Sequence, residues 1–459
     1  MTTTTSVTSR REIAHLTGTP RPPVVKGLPL VGNLLDMAND PNQFFLRCYR
    51  TYGPIFRIRL LNRTVTVLAG PEANRFMVRE GATYLRSREF WQGMVDQFGA
   101  KKGLINTDGE IHAALRKVMK RGFSRSAIQS RLADVLDTTD AVLARDWPVG
   151  ATVPVVTAMQ RLAADQLGIM ATGRAPGDYV DDLRTFIRTI LNVLVVRQRP
   201  RLFLYLPSFR RAQRRVFELG QQMIDAYDPS QADPDNPTLI DDVMAAHAKD
   251  PSLYVDGELM MAVLGPYFAG LDTVANTTSA MLYAILKQPE LQAKLSAEID
   301  AAFAAGPITP TTLQHMTVLH HTVMETLRMY PIAVAAMRNA TQDFEFAGCQ
   351  VLADEPLYMG ITVSHYLDEF YPDPYRFDIE RYAKPRLEHR QPGAFAPFSL
   401  GDHTCLGAGM AEVQIMLTMA RLFHQRQLAL TPPDYILKQK VAPTPGPEQG
   451  FKVRVIGQR

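Results

Sequence analysis

The sequence predicts a mainly α-helical protein with small β-sheets, an α+β class, on three observations. Long apolar patterns of helical period run through residues 127–143, 181–196, 211–227, 256–287 and 313–329. Alternating, strand-like runs are short and confined to residues 52–68, 344–359 and the neighbourhoods of Ala429 and Lys452. No Pro-, Gly- or Ser-rich linker interrupts the chain after Pro23.

In chain order, residues 1–22 are expected to form a flexible polar segment, ending in Pro20-Arg-Pro22-Pro23, and residues 23–459 the folded body. The segment 52–68 carries Asn62-Arg63 near its centre and reads as a β-hairpin. From Pro71 onward helices dominate, until a second β-region at 344–359 gives way to an irregular, Pro- and aromatic-rich stretch over 370–398. Residues 408–423 are helical in pattern, and the last strands follow.

Composition narrows the function classes. The 459 residues are 46% hydrophobic, ample for a large core without disulfide or metal staples. The three cysteines, Cys48, Cys349 and Cys405, are odd in number and far apart, which argues against a disulfide framework or zinc knuckle and fits a reducing cytoplasm. No role for Cys48 or Cys349 is legible. A net charge of +4 without a charged tail gives no footprint for nucleic acid. The first residues lack the apolar core of a signal peptide and fall far short of the roughly 20 apolar residues of a spanning helix. A Ser/Thr/Arg-rich transit peptide is disfavoured because Glu12 interrupts it. A cytoplasmic, monomeric protein is therefore expected.

The chemistry concentrates at Cys405, in the run Phe398-Ser-Leu-Gly401-Asp-His403-Thr-Cys405-Leu-Gly407. A cysteine taken alone is most often a small buried hydrophobe. Framed by glycines that allow close approach to a flat group, and followed by a helix whose N-terminus favours an anion, it is a candidate axial ligand for a haem iron. The run matches all four fixed positions of Phe-x-x-Gly-x-x-x-Cys-x-Gly, and so resembles the haem-binding signature of the cytochrome P450 family. Further family motifs appear upstream in order, and the resemblance extends over residues 103–407.

That resemblance implies one large, mostly helical unit with heme b held between a long central helix and the cysteine loop, Cys405 supplying the thiolate and Phe398 and Gly407 framing it. Ala269-Gly270-Leu271-Asp272-Thr273 is similar to the family's oxygen-binding helix motif. Ala269 and Gly270 would face the cofactor, and Gly270 together with Pro266 would weaken the regular helix. Taken alone, an Asp-Thr pair in a helix is a common surface feature. In this setting Thr273 would hold a hydrogen bond near dioxygen and Asp272 would connect to solvent as a proton source. Glu325 and Arg328, three apart, share a helix face and alone would read as an exposed ion pair. The resemblance instead makes them a buried scaffold with Arg381. Haem propionates need cations and donors, for which His112, Arg116, Arg338 and His403 stand at matching positions. His403 departs from the arginine often found there.

Segments matching the family's substrate-recognition regions are apolar: Phe90, Trp91, Met94 and Phe98, then Leu264 and Phe268, then Ala333 and Val334. Each could equally be plain core. As a set they suit a lipophilic small molecule of terpenoid, steroid, fatty acid or polyketide type. Residues 184–215 hold arginines and no acid around Leu202-Phe-Leu-Tyr-Leu206, which suits either an anionic membrane surface or a solvated basic helix pair. Lys117, Lys120 and Arg121 form a basic patch expected on the cysteine side, fit for an acidic electron donor. With no flavin or nicotinamide segment evident, a ferredoxin or flavodoxin with its reductase would supply electrons.

The expected activity is a haem-thiolate monooxygenase that uses dioxygen to hydroxylate or epoxidise its substrate. Two other readings remain at this point. One is a peroxide-driven or rearranging enzyme on the same scaffold, and the other a non-catalytic haem or lipid-binding protein.

Overall fold

The computed structural model describes residues 18–233, 237–255 and 257–459. Most of the expected flexible segment, and Asp256 at the expected start of the longest helix, lie outside the described residues. The helices that position the site are α1 (Pro41–Tyr52), α2 (Gly109–Met119), α3 (Leu132–Asp146), α4 (Val155–Thr172) and α5 (Val180–Ile190). They continue with α6 (Pro207–Asp225), α7 (Gly257–Leu286), α8 (Pro289–Ala304), α9 (Thr317–Met329) and α10 (Ala408–Gln425).

α7 is apolar on nearly every side, and a helix of that kind is stable only inside a core. It runs beside α4, α6, α9 and α10, with α4 as its most extensive neighbour. The α4–α7 contact is closed by glycine from both partners. A Cβ on Gly168 of α4 would stand 2.8 Å from the Tyr267 hydroxyl, and one on Gly270 of α7 would stand 2.9 Å from the Leu167 methyls. α4 itself lacks an amphipathic stripe, because almost all of its circumference is buried. Pro266 leaves α7 continuous, with no break in the helix at the missing donor.

Two of the apolar periodic segments are interrupted. Residues 127–143 divide at Arg131 into Arg125–Ser130, capped by Ser124, and α3. Residues 313–329 divide at Met316 into Pro310–His315, capped by Thr309, and α9. The start of α9 is capped from another helix: the Glu298 carboxylate of α8 accepts from the backbone N–H groups of Val318 and Leu319, both at 2.8 Å. The segment 181–196 closes in a π-turn, Leu191–Val195.

The largest sheet joins β1 (Ile55–Leu60), β2 (Arg63–Ala69), β3 (Leu85–Arg86), β4 (Ala336–Ala340) and β5 (Pro356–Gly360), in the order β1-β2-β5-β4-β3. The β1–β2 hairpin pairs Leu60 with Arg63, so its turn is Leu61-Asn62, one residue earlier than the sequence suggests, with Leu61 at φ +58°. Bonding to the folded body reaches back past the expected boundary at Pro23. Arg21 pairs with Glu355, and Pro20 accepts from the N–H of Gln350. A small hairpin, β6 (Gln439–Lys440) and β7 (Gly446–Pro447), is tied to α7 by Asn276, whose amide donates to the Pro445 carbonyl at 2.9 Å.

Glu325 and Arg328 of α9 meet Arg381, and all three side chains are fully buried. Arg328 makes two 2.8 Å bonds to the Glu325 carboxylate and one to the His365 carbonyl. Arg381 bonds Glu325, Glu388 and the carbonyls of Pro372 and Asp373. The Tyr382 hydroxyl and the Asp378 N–H complete the carboxylate's shell. His365, also fully buried, accepts at Nε2 from the Ala396 N–H, so its Nδ1–H faces the Arg328 carbonyl. Burial, with the Arg328 charge adding to it, pushes this imidazole down to about 3.

Removing one member of such a cluster strands the others without counter-charge. Glu325→Ala is expected to destabilise the fold by about 3–5 kcal/mol, read as a lowered urea midpoint. An unchanged midpoint would mean the cluster carries no load. His365 should show a proton on Nδ1 alone in ring ¹⁵N NMR and should fail to titrate from neutral pH to well below its ordinary 6.5. A ring that titrates near 6.5 would contradict the burial and the tautomer.

Candidate active site

The cysteine loop closes on itself. The Cys405 N–H donates to the Phe398 carbonyl at 2.8 Å, and the Thr404 N–H to the Gly401 carbonyl at 3.0 Å. Gly401 adopts φ +74°, and a Cβ there would meet the Met77 carbonyl oxygen at 2.6 Å, so this position requires glycine on both counts. Gly407 differs from expectation: its backbone is ordinary at φ −86°, and an added Cβ would make only normal contact with Phe123. What Gly407 contributes is its N–H, which bonds the Cys405 sulfur and lowers its pKa. Burial outweighs that bond and the nearby Arg116 charge, and the thiol is pushed up overall.

Cys405 nevertheless has an exposed side chain, and so does one stripe of the otherwise buried α7. Ala269 is exposed, and Gly265, Phe268 and Thr273 are partly so, at the spacing of a single helix face. The stripe lies on α7 and Cys405 just before the start of α10, and these two helices pack together. Cys405 and this stripe are the accessible residues against which a flat cofactor would be held in that arrangement. Gly270 does not belong to it. Its bare face is turned to Leu167, so it serves the α4–α7 contact and not cofactor approach.

The acid and alcohol of the motif point differently. Thr273 Oγ donates to the Ala269 carbonyl at 2.7 Å, the usual back-bond of a helical threonine, which leaves its lone pairs free on the accessible stripe. Asp272 is buried and accepts from Gln160 Nε2 at 2.6 Å. It faces α4 and the part-buried Lys440, so the expected direct opening to solvent is missing. Burial lowers the Lys440 ammonium, and Asp272 works against that. Gln160 was invisible to sequence reading, being one polar residue in a helix buried all round.

The polar edge gathers His112, Arg338 and His403, with Arg116 close enough to act on both His112 and Cys405. His112 stacks on His403 with ring centroids 4.2 Å apart, and its buried Nε2 has no partner. Burial first, then the charges of His403 and Arg116, push His112 down to about 4. Arg338 is 8% exposed and bonds only the Met337 carbonyl, with no carboxylate in ion-pair range among the described residues. Desolvation brings it down to about 10. A buried cation and a buried donor, both short of an acceptor, fit an incoming anion such as a propionate.

His403 already has a carboxylate partner, Asp108 Oδ1 at 2.8 Å from Nε2, with Ser87 Oγ at 3.3 Å. Burial opposes the charge on Asp108, but His403, the Ser87 N–H and Arg338 hold it below the ordinary carboxylate value. Asp108 occupies the N-cap of α2 without capping it. Its side chain serves the site instead.

The apolar candidates divide. Phe98 and Phe268 pack at 5.2 Å in a cluster with Phe186 of α5 and Phe217 of α6. Phe90 and Trp91 meet edge to face at 4.9 Å, and Met94 is buried in the helical core. Leu264 is core: it is fully buried against Gly220 of α6, where a Cβ would come within 3.1 Å. Val334 packs on the Phe44–Phe45 cluster beneath the sheet and accepts from Thr362, while Ala333 is exposed. The expected basic patch is smaller than its sequence, because Arg121 pairs with Asp242.

Residues 22–447 match the family model described as Cytochrome P450. A putative cytochrome P450 136 of Mycobacterium tuberculosis is 26% identical over 436 residues, spanning 93% of this chain and 87% of that protein. Abscisic acid 8'-hydroxylase 2 of Oryza sativa subsp. indica is 28% identical, over 87% of this chain and 80% of its own. Among solved structures, the retinoic acid-bound cyanobacterial CYP120A1 superposes with a TM-score of 0.81 at 24% identity, covering 96% of this chain and all of that one. The cytochrome P450DA heme domain superposes at 0.84 with 20% identity, covering 96% and 98%. With the family match spanning nearly the whole chain and the same fold in these structures, the chain belongs to the cytochrome P450 family, as a monooxygenase whose haem is held by a cysteine thiolate.

Proposed function

We propose that this monooxygenase hydroxylates or epoxidises a lipophilic small molecule, with Cys405 as the iron ligand and a separate ferredoxin or flavodoxin, with its reductase, as electron source. The observation that carries the reading is the accessible Cys405 in its self-closed loop, which leads into α10, a helix packed against the α7 that bears the exposed Ala269 and part-exposed Thr273. The haem, when bound, supplies dioxygen activation. Cys405 donates its sulfur, and the Gly407 N–H tempers the charge on it. Arg338, His112, Arg116 and His403 hold the propionate edge, with Asp108 fixing His403. Thr273 offers a hydroxyl oxygen on the stripe, and Asp272 is the reserve acid behind it, held by Gln160.

The aromatic cluster of Phe98, Phe186, Phe217 and Phe268, without a charge among its members, supports a lipophilic substrate. Similar proteins are named for retinoic acid and abscisic acid, which supports an apolar molecule of that kind. Lys117 and Lys120, both exposed, support docking of an acidic donor. No described helix is long and apolar enough to cross a membrane. Three free thiols suit a reducing cytoplasm.

A second reading, turnover on peroxide, draws support from one feature: Asp272 is bonded to Gln160 and not open to solvent. Product formed from NAD(P)H with surrogate ferredoxin and reductase decides for the first reading, and product formed with peroxide alone decides for the second.

Two outcomes are expected of variants. The dithionite-reduced, carbon monoxide-treated protein should show a strongly red-shifted Soret band that Cys405→Ala abolishes; its survival in the variant would remove Cys405 as ligand. Thr273→Ala should keep that band while product formation falls on the order of a hundredfold, the scale of a positioned proton-transfer group. Peroxide release per electron pair should rise with it, and unchanged coupling would dismiss the role of Thr273.

A further inference from the structure

The side chain of Lys440, at the end of β6, is part-buried and makes no hydrogen bond or ion pair among the described residues. Taking a cation out of water without an acceptor is costly, so a position of this kind calls for an anion. The hairpin has no room to swing away from α7. Gly446 pairs with Lys440 across β6 and β7, and a Cβ on it would stand 2.6 Å from the amide nitrogen of Asn276, which already bonds the Pro445 carbonyl. Asn276 follows Thr273 by three residues, so the hairpin meets α7 within one turn of the accessible threonine.

The charged groups around Lys440 do not supply that anion. Among the described residues Asp272 is the one acid that acts on it, yet it lies beyond ion-pair distance and accepts from Gln160. The other two are cations, Arg184 and Arg188 of α5. Four residues apart, they share a helix face. Arg184 gives Nη1 to Asp181, while its Nε–H is buried without a partner. The Arg188 side chain has no partner among the described residues. Three cations from α5 and the hairpin thus gather with donors to spare, and they repel one another until an anion joins them.

Apolar groups border the cations. The hairpin tip beyond Lys440 is Val441-Ala442-Pro443, part-exposed throughout. The helices that carry Arg184 and Asp272 also carry Phe186 and Phe268, whose rings meet at 5.6 Å. A free inorganic anion would use the cations and leave this apolar surface idle, whereas a ligand with an acid head and an apolar body uses both.

We propose that Lys440, with Arg184 and Arg188, receives the carboxylate of an apolar substrate acid, which makes Lys440 the residue that selects acids over neutral molecules of the same shape. The inference rests on the reading above, that a lipophilic molecule occupies the site beside Thr273, and adds the acid head to it.

The test titrates dodecanoic acid and dodecanol, equal in chain length and different in charge, into the haem-loaded full chain at neutral pH. Binding is read by the substrate-induced Soret shift and by equilibrium dialysis, which does not depend on the iron. Dodecanoate should bind about tenfold to a hundredfold tighter than the alcohol, the scale of a hydrogen bond to a charged group. Lys440→Gln should remove that preference and leave dodecanol binding unchanged. Arg188→Gln, at an exposed position, should weaken dodecanoate about twofold to fivefold. Unchanged circular dichroism checks that both variants fold. Equal binding of acid and alcohol by the unaltered protein would overturn the proposal and leave the lipophilic reading in place, while binding of neither would overturn both. A preference for the acid that survives in both variants would also overturn it, by putting the carboxylate elsewhere. Inorganic phosphate retained in dialysis, with no gain for dodecanoate over dodecanol, would overturn it in favour of a free-anion site.

Discussion

Two guanidiniums, Arg328 and Arg381, share the carboxylate of Glu325 where none of the three touches water. Moving such charges out of solvent costs several kcal/mol each, and only a full set of partners offsets it. That requirement organises the surrounding backbone. The carbonyls of His365, Pro372 and Asp373 and the N–H of Asp378 are drawn inward because the charges need them. An irregular stretch without regular secondary structure thereby acquires one conformation. From it His365 passes the constraint on to Ala396, two residues before Phe398 and the cysteine loop. The loop's geometry thus depends on ionic bonds made well outside it.

The opposite wall is built by a different force. α7 is held by apolar contact and by glycine-mediated approach to α4, with hardly a charge along its length. Between the two walls, the polar edge at Asp108, His112, Arg338 and His403 holds a buried ring nitrogen without a partner and a buried guanidinium bonded only to a backbone carbonyl. Packing fixes one face, charge pairing fixes the other, and the unfilled hydrogen-bond capacity lies at their margin.

Much of this was legible in the residues. The hairpin, the long helix and the cysteine frame follow from local pattern, and the charged triad from spacing together with the family resemblance. What escaped has a common cause. α4 is buried on all sides and so shows no period, Glu298 caps α9 from a neighbouring helix, and Gln160, His365 and Tyr382 reach partners far away in the chain. Gly270 was misread because a helical glycine has two possible readings, room for a ligand or room for a neighbour. Only the direction of its missing side chain separates them. Asp108, an aspartate at a helix N-cap position, gives no sequence sign that its carboxylate turns to His403.

The acid of α7 is held by an amide and not by a cation. Opening a buried ion pair would cost about 3–5 kcal/mol, whereas a hydrogen bond from a neutral donor to a carboxylate is worth about 1.5–3 kcal/mol. On that scale Asp272 is freed between about one moment in ten and one in a hundred and fifty, with no charge left stranded on its partner. The carboxylate beside Thr273 is latched and not locked, and the latch costs little to reset.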